Sequence, residues 1–200
     1  GFAAKAEDGR AKYLQKAGTL THLYVPPNMD WEAVLADPAI TICITEGEKK
    51  ALAMCARGVP CVGLGGVDSI GNRKRGQSVL PELKQLCAGD RDIMVVFDID
   101  QGYTTMKPQV ARAANALAQL ILEYGGVPKV VTLPSDGKKK CAVDDWLKTH
   151  ELSDLALYTE LLEHAKTLDT AVALYAEAEK YIYVADSNCL GNVVTREPVL

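Results

Sequence analysis

The chain has 200 residues, 22 Lys and Arg against 26 Asp and Glu, a net charge of −4 and a hydrophobic fraction of 48%. These values fit one soluble domain of ordinary size with extensions. They leave no global positive field to attract nucleic acid, so any such attraction must come from local basic patches.

No apolar run approaches the roughly 18–20 residues that span a bilayer. The N-terminal stretch Gly1 to Asp8 has no apolar core, so no signal peptide is expected. It also lacks an initiator Met, as expected of an excised fragment. Six cysteines (Cys43, Cys55, Cys61, Cys87, Cys141, Cys189) include no Cys-x-x-Cys pair. Zinc is therefore not expected, and reduced thiols in a cytoplasm are.

Residues 1–38 read as a lead-in. Ala11 to Gln15 pairs with Leu20 to Val25 as a hairpin stopped by Pro26-Pro27, with His22 structural on its strand. A short helix follows, with Asp30 as its N-cap. Ala39 to Thr45 is a buried strand, followed by Glu46-Gly47-Glu48-Lys49-Lys50 and a helix through Ala56. Ala51, Leu52 and Cys55 are expected on its apolar face. Cys61 to Val67 is a third, glycine-rich strand. The next loop carries Arg73-Lys74-Arg75, and Leu80 to Cys87 is helical.

Ile93-Met94-Val95-Val96-Phe97 is an apolar run ended by Asp98-Ile99-Asp100. The run predicts a strand buried on both faces, and the carboxylates come where burial must stop. From Pro108 to Tyr124, Val110, Ala113, Ala114, Leu117, Ile121 and Tyr124 form a helical stripe. Lys129 to Leu133 is a strand, Lys138-Lys139-Lys140 a second basic loop, and Val143-Asp144-Asp145-Trp146-Leu147 opens a helix. Strands alternating with helices predict an α/β unit over 39–150, with about four mainly parallel strands flanked by helices. Residues 151–200 are expected to add one or two helices and a late pair of strands, Tyr181 to Val184 with Asn192 to Val194. Trp31 and Trp146 are expected in the core.

If the strands ending in Glu46 and in Asp98 and Asp100 are neighbours, three carboxylates meet at the sheet's carboxyl edge, where α/β folds bind ligands. Such a cluster needs a cation, and hard oxygen donors suit Mg²⁺ or Mn²⁺. The implied chemistry is metal-assisted phosphoryl or nucleotidyl transfer. Gly47 lets the backbone turn into a helix whose N-terminus can take phosphate, beside Lys49 and Lys50. The loops of Arg73, Lys74 and Arg75 and of Lys138, Lys139 and Lys140 read as phosphate-backbone contacts or as solvated surface.

Thr45-Glu46-Gly47-Glu48-Lys49-Lys50-Ala51, Gly63-Leu64-Gly65-Gly66, Phe97-Asp98-Ile99-Asp100 and Val143-Asp144-Asp145, in that order, resemble the Toprim domain shared by bacterial-type primases, topoisomerases and some nucleases. With Leu23-Tyr24-Val25-Pro26-Pro27 upstream, the chain looks like the Toprim-like domain of phage- and plasmid-type primase–helicase replication proteins. The resemblance implies a Rossmann-like Toprim fold. It implies Glu46 as catalytic acid or base with a share in the metal, Asp98 and Asp100 as metal ligands, and Asp144 or Asp145 as the trailing acids, with Lys140 the lysine nearest before them. It further implies single-stranded DNA and nucleoside triphosphates as partners, a helicase domain or subunit in the parent protein, and no membrane. Gln101-Gly102-Tyr103 departs from the Ala-Gly turn that usually follows Asp-x-Asp in primases, and no zinc module is present.

Three alternatives stay open. One is a Toprim-type nuclease. Another is a non-catalytic module that binds DNA or docks a helicase. The third is a haloacid-dehalogenase-like phosphatase, whose first motif Phe97 to Thr104 resembles; that reading gives Glu46-Gly47 no role.

Overall fold

A computed structural model describes residues 22–66, 80–149 and 154–167. The Ala11 to Gln15 arm of the expected hairpin, the basic loop at Arg73, Lys74 and Arg75, and the strands expected after 180 lie outside the described residues.

The sheet is built on β1 (Ile42–Glu46) and β3 (Asp92–Val96), which run side by side and parallel. β2 (Cys61–Leu64) flanks β1 and β4 (Val127–Val131) flanks β3, both parallel. β5 (Ala165–Thr167) pairs antiparallel to β4, giving the order β2-β1-β3-β4-β5. Side chains alternate across a strand. Ile93 and Val95 therefore enter one core and Met94 and Val96 the other, all fully or almost fully buried. The apolar run of β3 is explained by that double burial, as expected from the sequence.

One core holds α1 (Trp31–Ala36), α3 (Pro81–Leu86) and α4 (Pro108–Glu123); the other holds α2 (Glu48–Cys55), α5 (Val143–Thr149) and α6 (Asp154–Glu163). The α4 stripe is buried at Val110, Ala113, Ala114, Leu117, Ala118 and Ile121, with Tyr124 partly buried. α1 is held by a residue the sequence did not mark. Arg91, 1% exposed, donates from Nη1 to the carbonyls of Asp37 (2.7 Å) and Ile40 (2.6 Å) and from Nη2 to that of Leu35 (3.1 Å). It thereby satisfies carbonyls left free where α1 ends.

This is the predicted Rossmann-like α/β arrangement, with local differences. The face of α2 is Ala51, Met54 and Cys55, while Leu52 is 40% exposed. A helix starting at Glu48 presents i, i+3 and i+4 to the sheet, one residue round from the expected face. Strand β1 begins at Ile42 because Asp37 first closes a turn, its carboxylate accepting from the Ala39 amide and its carbonyl from the Ile40 amide. His22 is not on a strand; among the described residues of this segment Tyr24 alone pairs, bridging Gly63, and the His22 ring meets the Glu82 carboxylate at 2.8 Å. Trp31 and Trp146 pack in the cores. The segment expected to be helical after 150 also supplies β5.

The path of the chain creates the crevice that matters. β1 leads through α2 to β2 on one face, whereas β3 leads through α4 to β4 on the other. The connections leaving these adjacent strands diverge, and ligands of open α/β sheets bind at such a switch point.

Candidate active site at the carboxyl edge of the sheet

Glu46 ends β1 and Gly47 turns the chain into α2 with φ 90°, in the region that favours glycine. The turn is anchored by the Gly47 amide, which donates to the Leu64 carbonyl at 2.7 Å. A second glycine makes room for it: a Cβ on Gly63 of β2 would lie 3.0 Å from the Gly47 carbonyl oxygen. Lys50, one turn beyond Glu46, points back over the crevice. Its Nζ lies 3.5 Å from Glu46 Oε1 and 2.7 Å from Asp98 Oδ2.

Asp98 follows β3 and is 3% exposed. Between it and Asp100, Ile99 exchanges two backbone hydrogen bonds with Cys141, at 2.9 and 2.8 Å. The Gly102 amide donates to the Gly137 carbonyl at 2.8 Å, and Ser135 Oγ donates to the Tyr103 carbonyl at 3.1 Å. These bonds stitch the loop after β3 to the loop after β4. They deliver Lys140, whose Nζ reaches the same Asp98 Oδ2 at 2.7 Å. Asp100 pairs with Lys107, the residue before α4.

Burial, then the neighbouring Asp98 carboxyl, pushes Glu46 up to about 7. Burial also acts to raise Asp98, but the hydrogen bonds from Glu46, Lys140 and Lys50 outweigh it and hold Asp98 below the usual carboxylate range. Burial acts to lower Lys140, but the Asp98 carboxylate, joined by Glu46 and Asp100, outweighs it and holds the ammonium above its ordinary range. The pair thus separates into a carboxylate that stays ionised and a carboxyl that exchanges its proton near neutrality. Asp98 Oδ1 is buried and has no hydrogen-bond partner.

The structure brings together Glu46, Gly47, Lys50, Asp98 and Lys140, with Asp100 alongside. Glu46, Asp98 and Asp100 all stand at this edge, but lysines pair with them, Lys50 and Lys140 with Asp98 and Lys107 with Asp100, and no group of three or more His, Cys, Asp or Glu among the described residues is placed to hold a metal ion. Lysines stand between the acids, because charges in a protected crevice must be paired. Lys49 is exposed, as are Lys138 and Lys139; Lys138 pairs with Asp136 at 3.7 Å. Asp145 is held at the surface by Lys148, 2.8 Å away, while Asp144 keeps a buried Oδ1 without a hydrogen-bond partner. Lys107 went unmarked in the sequence; a lone lysine before a proline carries no signal there.

The described cysteines are free, and burial pushes Cys43 up to about 12 and Cys61 well above its ordinary value, which makes both thiols unreactive. Among the described residues no helix is long and apolar enough to cross a membrane.

Residues 30–153 match the family described as "Domain of unknown function (DUF3854)". The chain belongs to that family. The matched span opens at the N-cap of α1 and runs past α5, so it includes every residue of the crevice. The chain is also 33% identical over 165 residues to an "Uncharacterized protein" of Picosynechococcus sp., covering 74% of this chain and 15% of that one. It thus spans about one seventh of the length of that relative. Among solved structures it is similar to the Aquifex aeolicus primase (zinc-binding and RNA polymerase domains). That likeness has a TM-score of 0.43 and 18% identity, over 64% of this chain and 26% of that one.

Proposed function

We propose that the crevice is a Toprim-type centre for metal-assisted phosphoryl or nucleotidyl transfer on nucleic acid, and that its task is primer synthesis within a larger replication protein that includes a helicase. The observation that carries this reading is that Glu46 and Asp98, at the carboxyl ends of neighbouring parallel strands, meet on one ammonium group, with Lys50 Nζ at 3.5 and 2.7 Å. The phosphatase reading makes no use of that arrangement.

The donors suit a hard divalent cation such as Mg²⁺ or Mn²⁺: they are carboxylate oxygens, and one of them, Asp98 Oδ1, is buried without a partner. Asp98 and Asp100 would hold it, with Glu46 at its side. When bound, such a cation neutralises charge on a phosphoryl oxygen. The chain's own groups do the rest. Near neutrality the Glu46 carboxylate accepts the proton of an attacking hydroxyl and later returns one. The free amides at the start of α2, where Gly47 offers no side-chain cap, and the ammonium groups of Lys50 and Lys140 receive phosphate oxygens. Lys49, Lys138 and Lys139 would contact the phosphates of single-stranded DNA, and Arg73, Lys74 and Arg75, outside the described residues, keep the same proposed role from their sequence alone. Asp144 and Asp145 would play an accessory part.

The test incubates the chain and its full-length parent with single-stranded DNA, ribonucleotides and Mn²⁺. New short products, reduced at least about 100-fold by Glu46→Gln, are expected. Shortened template in place of new products would make the centre a nuclease. DNA binding indifferent to Glu46→Gln and to metal, with no products, would leave a binding or docking module.

A further inference from the structure

Three carboxylates at the crevice, Glu46, Asp98 and Asp100, face three ammonium groups, those of Lys50, Lys140 and Lys107. Two of these ammonium groups lie at 2.7 Å from one oxygen, Asp98 Oδ2. An acidic cluster left to itself attracts a divalent cation because the cation relieves repulsion. Here that repulsion is already relieved. A divalent cation arriving alone would leave a surplus of about two positive charges against a carboxylate that is 3% exposed, a costly state in a protected site. The surplus disappears if an anion of two or more negative charges enters with the cation. A single backbone phosphodiester carries one charge, whereas a polyphosphate carries enough.

We propose that Lys50 and Lys140 are exchangeable counter-ions: they neutralise Asp98 in the absence of metal and turn to a polyphosphate when the cation binds, so that cation and polyphosphate load as one unit. This rests on the reading of Asp98 as a ligand of a divalent cation. Lys140 is the more exposed of the two, with a side chain 52% exposed on the loop after β4, while Lys50 is 17% exposed. Both lysines sit on Asp98 Oδ2, so the other oxygen, the buried Oδ1, carries neither of them. The coupling is a free energy shared by the two ligands, so each must raise the affinity of the other.

Lys140→Gln separates the two roles of the lysine. In metal titrations followed by calorimetry, the variant is expected to bind Mn²⁺ alone about tenfold more tightly than wild type, because a competitor is gone. With a preformed 1:1 complex of Mn²⁺ and inorganic tripolyphosphate the order reverses, and the variant binds about tenfold more weakly. Lys84→Gln, on the exposed side of α3, changes neither affinity and controls for net charge. A third arm with a non-hydrolysable nucleoside triphosphate distinguishes the sources of the anion: tighter binding than tripolyphosphate identifies the nucleotide, and equal binding a free polyphosphate. A Lys140→Gln effect of one sign in both titrations, or none, overturns the coupling while leaving the metal site intact if Asp98→Asn abolishes Mn²⁺ binding. Absence of Mn²⁺ binding in wild type and variant, alone or as the complex, overturns the metal reading as well.

Discussion

At the scale of single residues, Glu46 and Asp98 respond to pH in opposite senses. Glu46 is raised from an ordinary value of 4.5 to about 7, so the folded chain binds its proton more tightly than the unfolded chain does. Its contribution to stability is complete below about pH 4.5 and is lost as pH rises through 7. Asp98 is lowered from 3.8, so its contribution is present above that value and is lost as pH falls. The metal-free protein is therefore expected to be most stable between these limits. Urea unfolding in chelator at pH 5.5 and pH 8.5 should show a loss that Glu46→Gln removes, on the order of 2 kcal/mol. Much of this was legible in the sequence. The strand-terminal acids and the glycine after Glu46 marked the crevice because charge after an apolar run must lie at an edge. Lys50 and Lys140 were marked too, but as phosphate contacts; their pairing with Asp98, and Lys107 altogether, went unmarked, since Lys107 and Lys140 reach Asp100 and Asp98 through loop geometry with no periodic signature. Nor was Arg91 marked, because its role depends on where α1 ends in space.

At the scale of elements, the centre depends on two backbones crossing closely. A methyl group on Gly63 would meet the Gly47 carbonyl at 3.0 Å and Ala51 Cβ at 3.4 Å, and neither the turn nor the packed helix can yield without moving Glu46. Gly63→Ala is expected to destabilise the fold by about 1–3 kcal/mol in urea unfolding and to weaken Mn²⁺ binding. An unchanged unfolding midpoint would mean that the turn has slack. Periodicity located α4 and its stripe well because 16 residues sample several turns. It misplaced the face of α2, where eight residues leave a one-residue rotation undetected.

At the scale of the molecule, a negative net charge does not exclude a local cluster of cations. The whole chain is −4, yet Lys50, Lys107, Lys138, Lys139 and Lys140 gather at one edge of the sheet. Single-stranded DNA binding is therefore expected to fall with salt at about 0.7 logarithmic units per phosphate neutralised. Replacing Lys138 and Lys139 by Gln should flatten that slope by about one unit or more without moving the Mn²⁺ affinity measured in the absence of DNA. An unaltered slope would place the strand elsewhere.

The strand at Ala165–Thr167 reaches beyond the sheet's own crossovers. Lys129, Val130 and Val131 of β4 are paired by it, and Leu157 and Leu161 of the preceding helix are fully buried beneath the same face. A chain cut after residue 150 would bare both the amide row of β4 and that apolar surface. Bared strands recruit copies of themselves. Such a truncation is expected to associate in light scattering at concentrations where a chain ending after 167 stays dispersed, and an equally dispersed short form would show that β4 needs no cover. Expression boundaries for this unit should accordingly be drawn beyond Thr167.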